Sequence, residues 1–378
     1  MKNNKYQVCT NCVMDTTDSK IQFDERGYCD HCNNYYNNIL PNWHPDDIGA
    51  NELKKIIEKI KRKGKDKKYD CIIGLSGGAD SSYLTYLAKE KLGLRPLIFS
   101  VDTGWNLNVA NDNVKKVIKG LNLDLHLEVV DWNEMKDLQL AYFKSQVPYQ
   151  DTPQDHVIYA SLYNYAAKNG IKYVLTGANY STECVREPNE WVYLNDLRQI
   201  KDIHKKFAKQ PLKKLPLCGM FKYRLYYRYV KGMKIVQPLN LMPYKKEEAI
   251  ALLEGKFGWE RYSNKHFESI FTRFYEGYWL LKKFGYDKRR AHFSSLILTG
   301  QMTREEALKK LTEPPYGEEQ TRQDMEYIAN KLNVTKKEFV TMMNGENKTY
   351  RDYKNSAWLI KMAVKLAMIL GVEKRNFR

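Results

Sequence analysis

At 378 residues, 43% of them hydrophobic, the chain is long enough for two or three domains with a sizeable core. Its N-terminus is polar with no apolar h-region, and its longest apolar run, Ala357 to Leu370, is cut by Lys361 and Lys365. This excludes a bilayer-spanning helix, so we expect a soluble, cytoplasmic chain without a signal peptide or membrane insertion. The formal net charge of +17 favours acidic ligands (nucleotides, nucleotide-sugars, nucleic acid or an anionic surface) unless it serves only solubility.

Residues 1–40 hold Cys9-x-x-Cys12 and, after sixteen residues, Cys29-x-x-Cys32. Two such knuckles bring four thiolates to one tetrahedral ion, so the spacing predicts a zinc ribbon. A closed four-cysteine site keeps no open position for chemistry, and the zinc is expected to be structural. So small a segment has little core, and the metal would supply much of its folding energy. His31, inside the second knuckle, is expected beside the site or on the surface. Residues 41–68 read as a linker and one helix starting at Asp47 or Asn51, with Leu53, Ile56, Ile57 and Ile60 on one face.

Residues 69–249 read as α/β. Cys71 to Leu75 is a short apolar strand, Ser76-Gly77-Gly78-Ala79-Asp80-Ser81 a glycine turn, and Tyr83, Leu84, Leu87 and Ala88 open a helix. Strand, turn and helix aim backbone N–H groups and a helix N-terminus at one point, which makes an anion site. Asp80 would repel a bare phosphate, so it either holds magnesium beside one or caps the helix. The Walker A spacing is absent, and no lysine follows the glycines.

Next come a strand (Arg95 to Val101) ending in Asp102-Thr103-Gly104-Trp105-Asn106, a helix (Ala110 to Leu121), a strand (Leu125 to Val130) and a helix (Asn133 to Lys144). Asp151-Thr152-Pro153-Gln154-Asp155-His156 opens a further helix, Val157 to Lys168. The strand Tyr173-Val174-Leu175 then ends in Thr176-Gly177-Ala178-Asn179. This alternation implies a largely parallel sheet, whose ligands gather at the strands' carboxyl ends. Asp102 lies at such an end, where a ligand would sit. Asp155, His156, Asn179, Thr182 and Glu183 fall at neighbouring strand and helix ends, where each is a substrate ligand or a cap.

Residues 185–236 lack a clean period. They contain Trp191 and a basic aromatic stretch, Phe221 to Tyr229, and Lys201 to Lys234 holds eleven Lys/Arg against one acid, Asp202. Interleaved Arg and Tyr can stack bases, build a buried strand pair or form a protein interface. Residues 250–378 read as helical. Thr303-x-x-Glu306 and Thr335-x-x-Glu338 are capping boxes, and Phe267, Ile270, Phe271, Phe274 and Trp279 are core. In Arg289-Arg290-Ala291-His292-Phe293-Ser294-Ser295, His292 is a substrate-ligand candidate.

The turn S-G-G-A-D-S resembles the PP-loop of the ATP pyrophosphatases. The ordered set of four-cysteine ribbon, S-G-G-A-D-S, V-D-T-G-W-N, T-P-Q-D-H, T-G-A-N-Y-S-T-E and R-R-A-H-F-S-S-L-I is similar to the N-acetyl sugar amidotransferases of bacterial surface-polysaccharide synthesis, the WbpG/PseA-type proteins. The resemblance implies an ATP- and magnesium-dependent conversion of a sugar's acetamido group to acetamidino, releasing AMP and pyrophosphate. It also implies lipopolysaccharide or O-antigen synthesis, a nucleotide-sugar substrate and a separate glutaminase subunit that supplies ammonia. Nucleic acid would then be no partner.

By the same resemblance, Ser76, Gly77, Gly78, Ala79, Asp80 and Ser81 hold the pyrophosphate part of ATP, with Thr176, Gly177 and Lys246 (or Lys245 beside it) near the nucleotide. Asp80 would hold magnesium, and Glu183 or Asp155 would take a proton from ammonia. His156, Asn179, Thr182 and His292 remain for substrate. The rival reading is a tRNA-thiolating PP-loop enzyme. It needs a reactive thiol, for which Cys184, just after Thr182-Glu183, is the candidate; Cys71 lies in a strand and Cys218 stands alone.

Overall fold

The computed structural model describes residues 6–186 and 196–369; Trp191 lies outside them. Five strands form one all-parallel sheet in the order β3-β2-β1-β4-β5, namely β1 (Cys71–Gly74), β2 (Pro96–Asp102), β3 (Leu125–Val129), β4 (Tyr173–Leu175) and β5 (Lys234–Val236). β1 pairs with β2 on one side and β4 on the other, so the chain reverses direction across the sheet at β1. Loops leaving neighbouring strands part there and open a crevice at their carboxyl ends.

Side chains alternate across the sheet. Ile73, Ile98 and Leu175 face one core with the helices α1 (Asp47–Gly64), α2 (Ala79–Tyr86) and α3 (Asn108–Leu121). Ile72, Phe99 and Val174 face the other, with residues of Thr152–Lys168. The fold is therefore α/β, a parallel sheet flanked by helices on both faces. Helix α1 starts at Asp47, the earlier of its two expected starts, where the Asp46 carboxylate accepts the N–H groups of Ile48 and Gly49.

After α3 come α4 (Trp132–Ser145), α5 (Thr152–Lys168), the short α6 (Tyr180–Glu183), α7 (Leu197–Phe207) and α8 (Lys246–Phe257). Helix α5 begins at Thr152, earlier than its apolar run, because Pro153 is tolerated in a first turn that gives no hydrogen bond. The basic aromatic stretch is a π-helix, Lys222–Val230. Its Tyr223 and Tyr227 pack on Tyr163 of α5, while Arg224, Arg228 and Tyr229 are exposed. Neither a strand pair nor a fully buried element forms there.

The C-terminal region is helical, and an aromatic core of Phe143, Phe271, Phe274, Tyr275, Trp279 and Phe339 joins it to the sheet domain. Trp105, from the turn after β2, is fully buried in that core. Backbone bonds clamp the same turn to the segment before the first C-terminal helix: Leu107 N–H donates to Glu268 O (2.9 Å) and Ile270 N–H to Trp105 O (3.0 Å). Residues 259–268 are thereby drawn across the carboxyl end of β1. Both capping boxes are present, at Thr303 and Thr335. No described helix is long and apolar enough to cross a membrane.

Candidate active site

The glycine turn between β1 and α2 is braced from all sides. Gly77 takes φ +89°, a conformation natural to glycine, and a Cβ there would lie 2.6 Å from Ala110 O. Trp259 Nε1–H (3.0 Å) and Tyr262 O–H (3.2 Å) both donate to Gly77 O. The Ser76 and Ser81 hydroxyls are 3.2 Å apart; Gly78 N–H donates to Ser76 Oγ and Ser81 O–H to Gly78 O. Gly177, after β4, packs so closely that its Cβ would meet the Asp80 carbonyl carbon at 3.0 Å. Ala79 opens α2, whose N-terminus points into the crevice.

Asp80 does not cap α2; no side-chain cap bond forms there. Its carboxylate instead accepts a bond from the Tyr244 hydroxyl and pairs with Lys265 Nζ at 3.2 Å. The same ammonium lies 2.7 Å from Glu183 Oε1 and 2.9 Å from Thr182 Oγ1. Lys265 thus gathers three residues singled out from sequence, Asp80, Thr182 and Glu183. Burial pushes the Asp80 carboxyl up, but Lys265, Tyr244 and Lys246 outweigh it and hold it below its usual range. Burial works against the Lys265 ammonium too, yet Asp80 and Glu183 keep it above its ordinary value.

Lys265, Tyr244 and Glu268 carry no motif in the sequence. The Glu268 carboxylate lies over the glycine turn: a Cβ on Gly78 would fall 2.1 Å from its Oε1. Burial raises the Glu268 pKa. Of the two adjacent lysines, Lys245 pairs with Glu248 at the surface (3.0 Å), whereas Lys246 is turned inward, its ammonium lowered by burial and by Lys265.

Other candidates are engaged elsewhere. Asp102 Oδ1 accepts Gly104 N–H at 2.7 Å and shapes the turn after β2. Thr176 Oγ1 accepts Ala178 N–H. Asn179 caps α6, with its Oδ1 on Thr182 N–H (2.9 Å) and its Nδ2 on Gly177 O (2.9 Å). His156 Nε2 accepts Cys218 N–H at 3.0 Å, and the ring is 1% exposed. His156 and Asn179 therefore serve the backbone in this structure, and substrate would have to displace those bonds.

Asp155 accepts the Tyr149 hydroxyl at 2.7 Å and belongs to a separate acidic group. Its neighbour Asp151 is pushed well above the usual carboxylate range by burial, then by Asp155 and Glu276.

His292 lies on α9 (Arg289–Leu298), and its Nε2 is a buried atom without a hydrogen-bond partner among the described residues. Burial, with Lys246, Lys265 and His266, holds its pKa well below the ordinary 6.5. The unfolded chain takes up a proton near 6.5 and the folded one does not, so stability falls as pH drops below that value. In thermal melts at descending pH, His292→Gln should flatten this acid loss; an unchanged slope would remove His292 from the account.

The N-terminal cysteines meet as their spacing implies. Their four Sγ atoms lie within 4.8 Å of one another, with nearest separations of 3.6–3.7 Å. Tetrahedral zinc with ~2.3 Å Zn–S bonds sets its sulfurs roughly 3.8 Å apart, so the residues fit the ion. His31 is no ligand; its Nε2 pairs with Asp18 at 2.9 Å. The ribbon docks on the C-terminal region. Arg304 binds the carbonyls of Cys9 and Cys12, Arg290 binds Val13 O and Asp15, and Ser294 Oγ accepts Val13 N–H. Arg290 and Ser294 both belong to α9, the helix that carries His292.

Residues 268–367 match a family described as LPS biosynthesis protein WbpG-like, C-terminal domain. Over this C-terminal stretch the chain is similar to WbpG-type proteins. Its WbpG-like domain starts at Glu268, the residue over Gly78, and includes α9 with His292; Lys265 lies just before it. The uncharacterized protein MJ1599 of Methanocaldococcus jannaschii is 23% identical over 275 residues, which covers 70% of this chain and 79% of that protein.

Three solved structures are similar over part of this chain. NMN synthetase from Francisella tularensis has 16% identity, 61% of this chain and 93% of that one covered, and a TM-score of 0.29. NH3-dependent NAD synthetase from Campylobacter jejuni has 17% identity, coverage of 55% and 84%, and a TM-score of 0.29. A predicted subunit of tRNA methyltransferase from Methanocaldococcus jannaschii has 13% identity, coverage of 48% and 75%, and a TM-score of 0.28. Similarity at this level leaves function open.

Proposed function

We propose that this chain is an ATP-dependent amidotransferase that turns the acetamido group of a nucleotide-linked sugar into acetamidino, in lipopolysaccharide or related surface-glycan synthesis. The reading rests above all on one juxtaposition. A glycine turn suited to pyrophosphate stands beside a carboxylate and a hydroxyl, Glu183 and Thr182, through the shared contact with Lys265. Pyrophosphate and acceptor chemistry can meet there.

An amide oxygen is a poor leaving group. In the proposed first step it attacks the α-phosphorus of ATP, the bond to the β-phosphate breaks, and pyrophosphate departs. Ammonia then forms a bond to the amide carbon, the C–O bond breaks, AMP leaves with the oxygen, and one proton passes to a base. Ser76, Ser81, the loop N–H groups and the α2 N-terminus would hold the departing pyrophosphate. Asp80 would hold magnesium, which supplies charge neutralisation on the phosphates. Burial beneath residues 259–268 would keep water from the activated amide.

Glu183 is better placed than Asp155 to accept the proton, since it shares Lys265 with the loop. Glu183→Gln should lower turnover at saturating ammonium by ~10²-fold or more. Full turnover would end that role. The ammonia is assigned to a separate glutaminase subunit. Mass spectrometry of a panel of UDP-acetamido sugars, incubated with ATP and ammonium, tests the whole reading: a product in which NH has replaced O is expected, and an unaltered panel counts against it.

The tRNA-thiolating alternative draws on the exposed Arg224, Arg228 and Tyr229. The thiols oppose it. Cys71, Cys184 and Cys218 are all buried, and burial raises each, Cys184 to about 12, so none is a ready thiolate. Cys184 in the folded protein should resist alkylation at neutral pH, and Cys184→Ser should keep pyrophosphate release. Rapid labelling together with loss of activity would favour sulfur chemistry.

A further inference from the structure

The segment from Lys265 to Glu268 places two charges on the glycine turn. Lys265 Nζ sits 3.2 Å from Asp80 Oδ2, 2.7 Å from Glu183 Oε1 and 2.9 Å from Thr182 Oγ1, which uses all three of its N–H donors. Glu268 Oε1 covers Gly78, 2.1 Å from where a Cβ would be. A cation therefore rests on the loop's carboxylate and an anion on its glycines. A metal-bound polyphosphate would bring the same two charges to the same two places.

We propose that Lys265 is a phosphate-binding residue of the adenylation step, held in the free protein on the carboxylate that takes the metal, with Glu268 covering the phosphate's place. The proposal rests on the ATP-dependent reading above but not on the identity of the acceptor. Two positive centres on one carboxylate repel, so a divalent ion and Lys265 compete for Asp80. The ion wins only when it arrives with phosphates, because these give the displaced ammonium a new partner. Lys265 keeps Glu183 and Thr182 within reach as it turns, which leaves it between the nucleotide and the acceptor side. There it would meet the phosphate on which charge shifts as the bond to pyrophosphate breaks. Lys246, also turned inward and lowered in part by Lys265, shows that this corner holds two ammonium groups. The pKa of His292, whose buried Nε2 has no hydrogen-bond partner among the described residues, is lowered by burial and by the same two lysines.

The test uses the full chain and Mn2+ alone, titrated by electron paramagnetic resonance without nucleotide. Lys265→Met and Lys265→Gln should bind Mn2+ roughly tenfold or more tightly than the parent, because the competing charge is gone. Lys265→Arg keeps a cation there and should bind like the parent. Glu268→Gln should bind ATP more tightly, since the carboxylate no longer opposes phosphate. With an active acceptor, Lys265→Met should lower pyrophosphate release by ~10²-fold or more. Parental Mn2+ affinity in folded Lys265→Met and Lys265→Gln, verified by melting, overturns the proposal, as does undiminished turnover in either. Because the Mn2+ titration needs no acceptor, tightened metal binding with an inert sugar panel would sink the amidotransferase reading and leave this one standing.

Discussion

Asp80→Asn should lower pyrophosphate release on the order of 10²–10³-fold while the protein still folds. The argument is electrostatic. Lys265, Tyr244 and Lys246 overcome burial and hold the Asp80 carboxyl below its usual range, so it stays ionised and ready for a metal near neutral pH. Asparagine keeps the shape and one acceptor for the Tyr244 hydroxyl but loses the charge. Lys265 would still have Glu183 at 2.7 Å and Thr182 at 2.9 Å, so the fold should lose little. The checks are a pyrophosphate assay at saturating ATP and a thermal melt. Unimpaired release would show that Asp80 holds no metal that matters to the reaction.

Removing the zinc should have the second large effect, and on more than the ribbon. Structural four-cysteine sites contribute on the order of 10 kcal/mol of metal-binding free energy to folding, and a segment with so little core of its own cannot replace it. The ribbon's carbonyls and amides are partners of Arg290, Ser294 and Arg304. Arg290 and Ser294 share α9 with His292, and Ser295 of that helix accepts Val185 N–H just beyond Glu183. Chelation, or Cys29→Ser, should therefore lower the melting temperature and reduce activity together, although the proposed chemistry uses none of the four cysteines. Measurement of bound zinc, melting and turnover on one preparation checks this. A zinc-free protein with unchanged melting and turnover would contradict both the site and its coupling.

The strand, glycine turn and helix, the parallel sheet and the cysteine cluster were legible because local order carries them. A strand, glycines and a helix are consecutive, and paired cysteines have a diagnostic spacing. Lys265 was not legible. It contacts Asp80 and Glu183 across long stretches of chain, and residues 259–268 form an irregular crossing with no period to read. Its nearest sequence signal is the aromatic pair Trp259 and Tyr262, whose polar atoms both end on Gly77 O. His156 and Asn179 show the opposite case. Polar residues at helix starts were proper candidates, but the backbone of Cys218 and Thr182 claims them. The basic aromatic stretch had three readings, and sequence could not foresee a π-helix with Tyr223 and Tyr227 on α5 and its arginines outside.

The central claim is that the loop powers chemistry on an acetamido sugar. The most direct measurement is release of AMP and pyrophosphate from ATP with ammonium present, in parallel with a panel of UDP-acetamido sugars and with bulk tRNA. The account predicts equimolar release that requires one of the sugars and disappears in Asp80→Asn. Release that requires tRNA and ignores every sugar would contradict it.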